Sequence, residues 1–104
     1  MITSRQFRDH YVLAISIRYE RDTSYANVRL SVQDAQGVTC VYEIGGVTEY
    51  YVDEDLQSLA IAQCTLINEP DNVYLSLDPF NEGAPSEKDN FCFKGASIEL
   101  RQGL

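Results

Sequence analysis

The chain has 104 residues, 44% of them apolar and 23% charged, with a net charge of −8 and a pI near 4.4. These values exclude whole-chain disorder and a second domain of ordinary size, and an excess of acid this large disfavours phosphate backbones and anionic membranes as partners. A single domain over 1–104 buries roughly 65% of the surface its unfolded chain exposes, which supports one modest core and leaves little room for a deep enclosed active site.

Met1 to His10 holds no apolar run of the kind a secretory signal uses, so cytoplasmic residence is expected. Thr3 or Ser4 is a fitting N-cap for a short helix over 3–10, with Phe7 and Tyr11 four residues apart on one face. The period then changes to two. Leu13, Ile15, Ile17 and Tyr19 alternate with Ala14, Ser16, Arg18 and Glu20, the pattern of a half-buried strand. A polar turn, Arg21 to Tyr25, leads to Val28, Leu30 and Val32, alternating with polar residues as a second strand. Asp34-Ala35-Gln36-Gly37 is a hairpin signal, and Val38, Cys40, Tyr42 and Ile44 make the third strand of a meander. Gly45-Gly46 marks a turn or a close backbone approach. Val47 to Val52 predicts a fourth strand, stopped by Asp53-Glu54-Asp55.

Leu56 to Asn68 fits either a short helical start or a strand, with the strand favoured from about Ala60. It carries Gln57, Ser58, Gln63 and Thr65 and falls short of the roughly 18 apolar residues of a membrane span. Glu69-Pro70-Asp71-Asn72 is a turn, because proline pre-sets φ and Asp and Asn tolerate turn geometry. Val73, Leu75 and Leu77 follow as a sixth strand. Pro79 to Asn90 is the longest loop and the expected mobile segment. The last strand runs from Phe91 to about Arg101. Its alternation slips between Phe91/Phe93 and Ile98/Leu100, and a bulge at Gly95 would repair the slip. The expected fold is mostly β, or α+β if the N-terminal helix forms. It has about seven antiparallel strands in a curled sheet, a barrel or a two-layer sandwich.

Catalytic patterns are sparse. The one histidine, His10, would have to serve any Ser–His or Cys–His site. Cys40, Cys64 and Cys92 are odd in number and widely spaced, which suits reduced thiols used as small hydrophobes. No phosphate-loop or nucleophile-elbow motif occurs, and Asp53-Glu54-Asp55 lacks the glycine of a calcium loop. No enzyme activity, cofactor or metal is expected.

Charge is unevenly spread. Residues 1–29 hold five arginines against three acids, whereas 30–104 hold Lys88, Lys94 and Arg101 against thirteen acids. The densest point is Glu49, Tyr50, Tyr51, Asp53, Glu54 and Asp55. Tyrosine combines a large rigid ring with a polar tip, which suits interfaces, and neighbouring acids pair with a partner's Lys or Arg. Alternation turns one of Tyr50 and Tyr51 outward. Glu69, Asp71 and Tyr74 extend this partner-binding patch if the loops cluster at one end of the sheet. The bland alternative is one core tyrosine beside a solvated acidic turn.

The layout of residues 7–55, with looser agreement over 60–101, resembles small acidic bacterial immunity proteins of polymorphic-toxin and contact-dependent-inhibition systems. The resemblance runs through His10-Tyr11-Val12-Leu13-Ala14-Ile15-Ser16-Ile17, the Val-Arg-Leu-Ser-Val-Gln-Asp-Ala-Gln-Gly hairpin and Val-Tyr-Glu-Ile-Gly-Gly-Val-Thr-Glu-Tyr. Related sequences often carry His-Asp before the first strand; here the order is Asp9-His10. The resemblance implies a non-catalytic protein that neutralises a cognate toxin, commonly a nuclease, and it carries over no individual site residue. An acidic inhibitor suits such a basic target and associates with it quickly. The alternatives are a structural or accessory β-domain that self-associates or binds another protein, and a small-molecule binder with a curled-sheet cavity.

Overall fold

The computed structural model describes residues 2–52 and 60–102, with Gln102 described in its backbone only. Among them lie a single 3-10 turn, Ser4–Gln6, and eight strands: β1 Tyr11–Tyr19, β2 Ala26–Gln33, β3 Thr39–Val47, β4 Glu49–Val52, β5 Thr65–Glu69, β6 Asn72–Ser76, β7 Phe91–Gly95 and β8 Ser97–Gln102. They form two four-stranded antiparallel sheets, in the orders β1-β2-β3-β8 and β4-β7-β6-β5. The expected mostly-β class holds. Neither sheet closes into a barrel; the two share one apolar core instead.

The core follows from period-two alternation. Ala26, Val28, Leu30 and Val32 of β2 and Tyr42, Ile44 and Val47 of β3 are buried from one sheet, while Val73, Leu75, Phe91 and Phe93 are buried from the other. Each fully buried aliphatic or aromatic side chain contributes about 1.5–3 kcal/mol. The hairpin at Asp34 forms as expected. The Asp34 carboxylate accepts from the N–H groups of Gln36 (2.9 Å) and Val38 (2.8 Å), and Gly37 takes φ +87°.

Three expectations need correction. First, the 3–10 helix is only the 3-10 turn, held by the Gln6 side chain accepting from the Thr3 N–H at 2.8 Å. Phe7 does not pair with Tyr11. It is fully buried against Tyr42, ring centroids 4.7 Å apart, and Tyr11 is exposed at the start of β1. Second, Leu13 is exposed. The register between β1 and β2 shifts at Val12/Ala14, so Val12 enters the core in its place.

Third, the slip in the last predicted strand is a change of sheet. β7 pairs with β4 and β6 in one sheet, and after Ala96 the chain continues as β8 beside β3 in the other. The β3–β4 segment makes the same crossing at Thr48, so Gly45 and Gly46 belong to a corner inside β3 and Val47 ends that strand. Bends that pass strands between layers are a known way to build sandwich corners. Here two such strands run side by side. The Ala96 N–H donates to the Gly45 carbonyl at 2.8 Å, and the Thr48 N–H donates to the Lys94 carbonyl at 2.9 Å. The backbones approach so closely that a Cβ on Gly95 would stand 2.8 Å from the Gly45 oxygen.

Candidate functional site

Three of the predicted site residues, Glu49, Tyr50 and Tyr51, divide between the two faces of one short edge strand. Along β4, Glu49 and Tyr51 face outward, across from Lys94 and Cys92 of β7, whereas Tyr50 lies across from the core residue Phe93. Both tyrosines are exposed, because β4 ends its sheet. The Tyr50 hydroxyl meets that of Tyr19 at 2.7 Å, which ties the edge strand of one sheet to the edge strand of the other. This hydrogen bond holds the Tyr50 phenol above its ordinary range. Tyr19, expected on a half-buried face, is 63% exposed at the end of β1.

Glu49, Tyr51 and Tyr74 come together in an open groove of about 780 Å³. The outer face of the second sheet forms its floor, and residues 85–90 of the long loop form one wall. That loop, expected to be mobile, is tied down at three places. Arg8 pairs with Glu82, whose carboxylate also accepts from the Cys64 N–H at 3.1 Å. The Gly83 N–H donates to Thr65 Oγ1 at 2.8 Å. Buried Asp89 accepts from the N–H groups of Phe80 (2.8 Å) and Ser86 (3.3 Å) and from the Tyr74 hydroxyl. The Tyr74 hydroxyl therefore faces an internal partner, not an incoming one.

Burial, and then the Asp89 carboxylate, raise the Tyr74 phenol well above its ordinary value near 10. A raised folded-state pKa stabilises the fold fully below the unfolded value and loses that contribution as pH climbs. Stability is accordingly expected to fall above about pH 10. Tyr74→Phe should flatten that alkaline limb in urea titrations at stepped pH; an unchanged limb would show that Tyr74 is not its source.

Glu69, the last residue of β5, accepts from Asn72 Nδ2 at 3.3 Å. Asp71 occupies the turn tip with φ +60°, after Pro70, and lines a separate notch with Tyr25, Gly46, Thr48 and Lys94. Asp53, Glu54 and Asp55 lie outside the described residues. The expected patch thus resolves into a groove with Glu49, Tyr51 and Tyr74 and a notch with Asp71, with Glu69 at the end of β5 just before the turn.

Several residues at this end were not singled out by sequence reasoning. Tyr25 reads as a turn residue, and Lys88 and Lys94 are lost in a strongly acidic half. Both lysines line the groove, and Lys88 Nζ lies 4.6 Å from the Phe80 ring centroid. The groove is therefore mixed in charge, not purely acidic. Two of the five arginines in the first third, Arg8 and Arg29, are held in internal ion pairs. Arg8 meets Glu82, and Glu43 joins Arg29 (3.2 Å) and Arg101 (2.7 Å) on the outer face of the first sheet.

No family model, curated protein or solved structure matches this sequence or fold.

The catalytic candidates can be placed. His10 Nδ1 lies 2.8 Å from the Arg8 carbonyl, so the ring donates there. The three cysteines are free thiols, and burial pushes Cys64 up to about 12. Among the described residues no group of three or more His, Cys, Asp or Glu stands ready for a metal ion, and no helix is long and apolar enough to cross a membrane.

Proposed function

We propose that this chain is a non-catalytic binding protein, an immunity protein that neutralises a basic toxin domain by covering it with an acidic, tyrosine-bearing surface. The observation that carries this reading is the β4 edge. Tyr19, Tyr50 and Tyr51 are exposed there, and Glu49 beside them makes no ion pair among the described residues. Asp53, Glu54 and Asp55 follow directly in the chain. Exposed tyrosines give contact area at low entropic cost, and unpaired carboxylates steer a cationic partner inward. A nuclease that binds phosphate offers the complementary charge. No turnover is required of any residue.

The alternative is self-association through the β1 edge past Tyr11, which itself bridges to Ala60; Leu13 is exposed on that strand. Retrieval of the tagged protein from its native host, followed by sedimentation at micromolar concentration, separates the two. The immunity reading expects a monomer that captures one basic protein. A stable homo-oligomer with no captured partner would favour the alternative.

A further inference from the structure

We propose that the partner is gripped at the corner end of the sandwich, where the notch between Tyr25 and Asp71 receives an arginine side chain of that partner. This rests on the reading of the chain as a binder of a basic protein and adds where the contact is anchored and by which group.

The corner brings two distant turns together. The β1–β2 loop, residues 20–25, projects beyond the row Tyr19–Ala26–Val47, and the β5–β6 turn at Pro70–Asp71 projects beyond Glu69–Asn72. Between them the chain crosses from sheet to sheet at Thr48 and Ala96, flanked by Gly46 and Gly95, where side chains would collide with the neighbouring segment. The result is a notch of about 420 Å³ floored by glycine and alanine backbone and walled by Tyr25 and Asp71. Tyr25 is 47% exposed.

Charge at this end favours a cation. Glu20, Asp22, Glu49, Glu69 and Asp71 stand against Arg21 and Lys94, and none of the five carboxylates makes an ion pair among the described residues. Lys94 also lines the notch, with Glu49 across the strand pair from it.

The chemistry of the walls selects arginine over lysine. A guanidinium is planar, stacks on a tyrosine face and meets a carboxylate with two parallel hydrogen bonds, whereas an ammonium is a compact, strongly hydrated point charge.

Amide and side-chain NMR of the full chain tests this with hexa-arginine and hexa-lysine peptides as probes. Hexa-arginine is expected to shift Tyr25, Thr48, Asp71 and Ala96 first, and to bind more tightly than hexa-lysine. Asp71→Asn keeps a residue tolerant of the left-handed turn and removes the charge, so it should weaken binding about three- to fivefold, the scale of one exposed ion pair. Tyr25→Ala should remove the preference for arginine over lysine, with a dispersed spectrum confirming that each variant is folded. Shifts centred away from the notch overturn the anchor site and leave the basic-partner reading standing. Equal response to both peptides overturns the arginine assignment. No shifts with either peptide overturn both the anchor and the reading beneath it.

Discussion

Asp89→Ala is expected to destabilise the protein by about 2–4 kcal/mol, since hydrogen bonds to a charged group each contribute about 1.5–3 kcal/mol and the loop recovers part of the loss by rehydrating. The Asp89 side chain receives the Tyr74 hydroxyl and the backbone N–H groups of Phe80 and Ser86, and the residue is only 4% exposed. Truncation leaves three donors without their acceptor and releases the wall of the groove. Hydrogen exchange should therefore accelerate first in residues 79–90, ahead of the β2 and β3 core. The Tyr74 phenol should also titrate closer to its ordinary value, because one of the causes that raise it is the Asp89 carboxylate. Asp89→Asn, which keeps the shape and part of the acceptor capacity, should fall between wild type and Asp89→Ala. Urea unfolding measures the loss; wild-type stability in Asp89→Ala would show that the loop is held by other contacts.

Gly95→Ala is expected to cost about 1–3 kcal/mol, the usual range for forcing an extra methyl into a packed site. In a domain of this size that lowers Tm by roughly 4–8 °C per kcal/mol. The new Cβ would meet the Gly45 oxygen at 2.8 Å, Ile44 Cγ2 at 3.1 Å and Val47 Cγ2 at 3.3 Å. The oxygen is backbone and already holds the Ala96 N–H, so it cannot withdraw without opening the corner. Gly37 provides the contrast. Its φ is +87° and a Cβ there would stand in open space, so Gly37→Asn should cost far less. Thermal melts of the two variants compare steric collision with turn strain directly; equal Tm values would refute the collision at the corner.

Alternation made β2, β3 and β6 legible, because each buries one face against the opposite sheet and exposes the other. The Asp34–Gly37 hairpin and the Pro70–Asp71 turn were legible for a different reason: their residues have narrow backbone preferences. The corner was not. A parity slip at Gly95 fits a bulge as well as a sheet change, and only the pairing of β7 with β4 and of β8 with β3 decides between them. Leu13 misled because a one-residue register shift inverts the faces, so an apolar residue in the right phase points to solvent.

The site was partly legible on the same terms. Glu49, Tyr50 and Tyr51 are neighbours in sequence, and their exposure follows from β4 being short and at an edge. Tyr19 and Tyr25 join that surface only through the fold, as do the lysines that make the groove mixed in charge. Asp89 reads as one more loop acid until its burial shows that it organises the loop.

Recognition of a basic partner is tested most directly by stopped-flow association with the captured protein across a salt series. The on-rate is predicted to fall steeply as salt rises, and to be slower with a flatter salt dependence in a variant combining Glu49→Lys, Asp53→Lys and Glu54→Lys. An on-rate indifferent to salt and to these charge reversals would contradict recognition of a basic partner through this acidic surface.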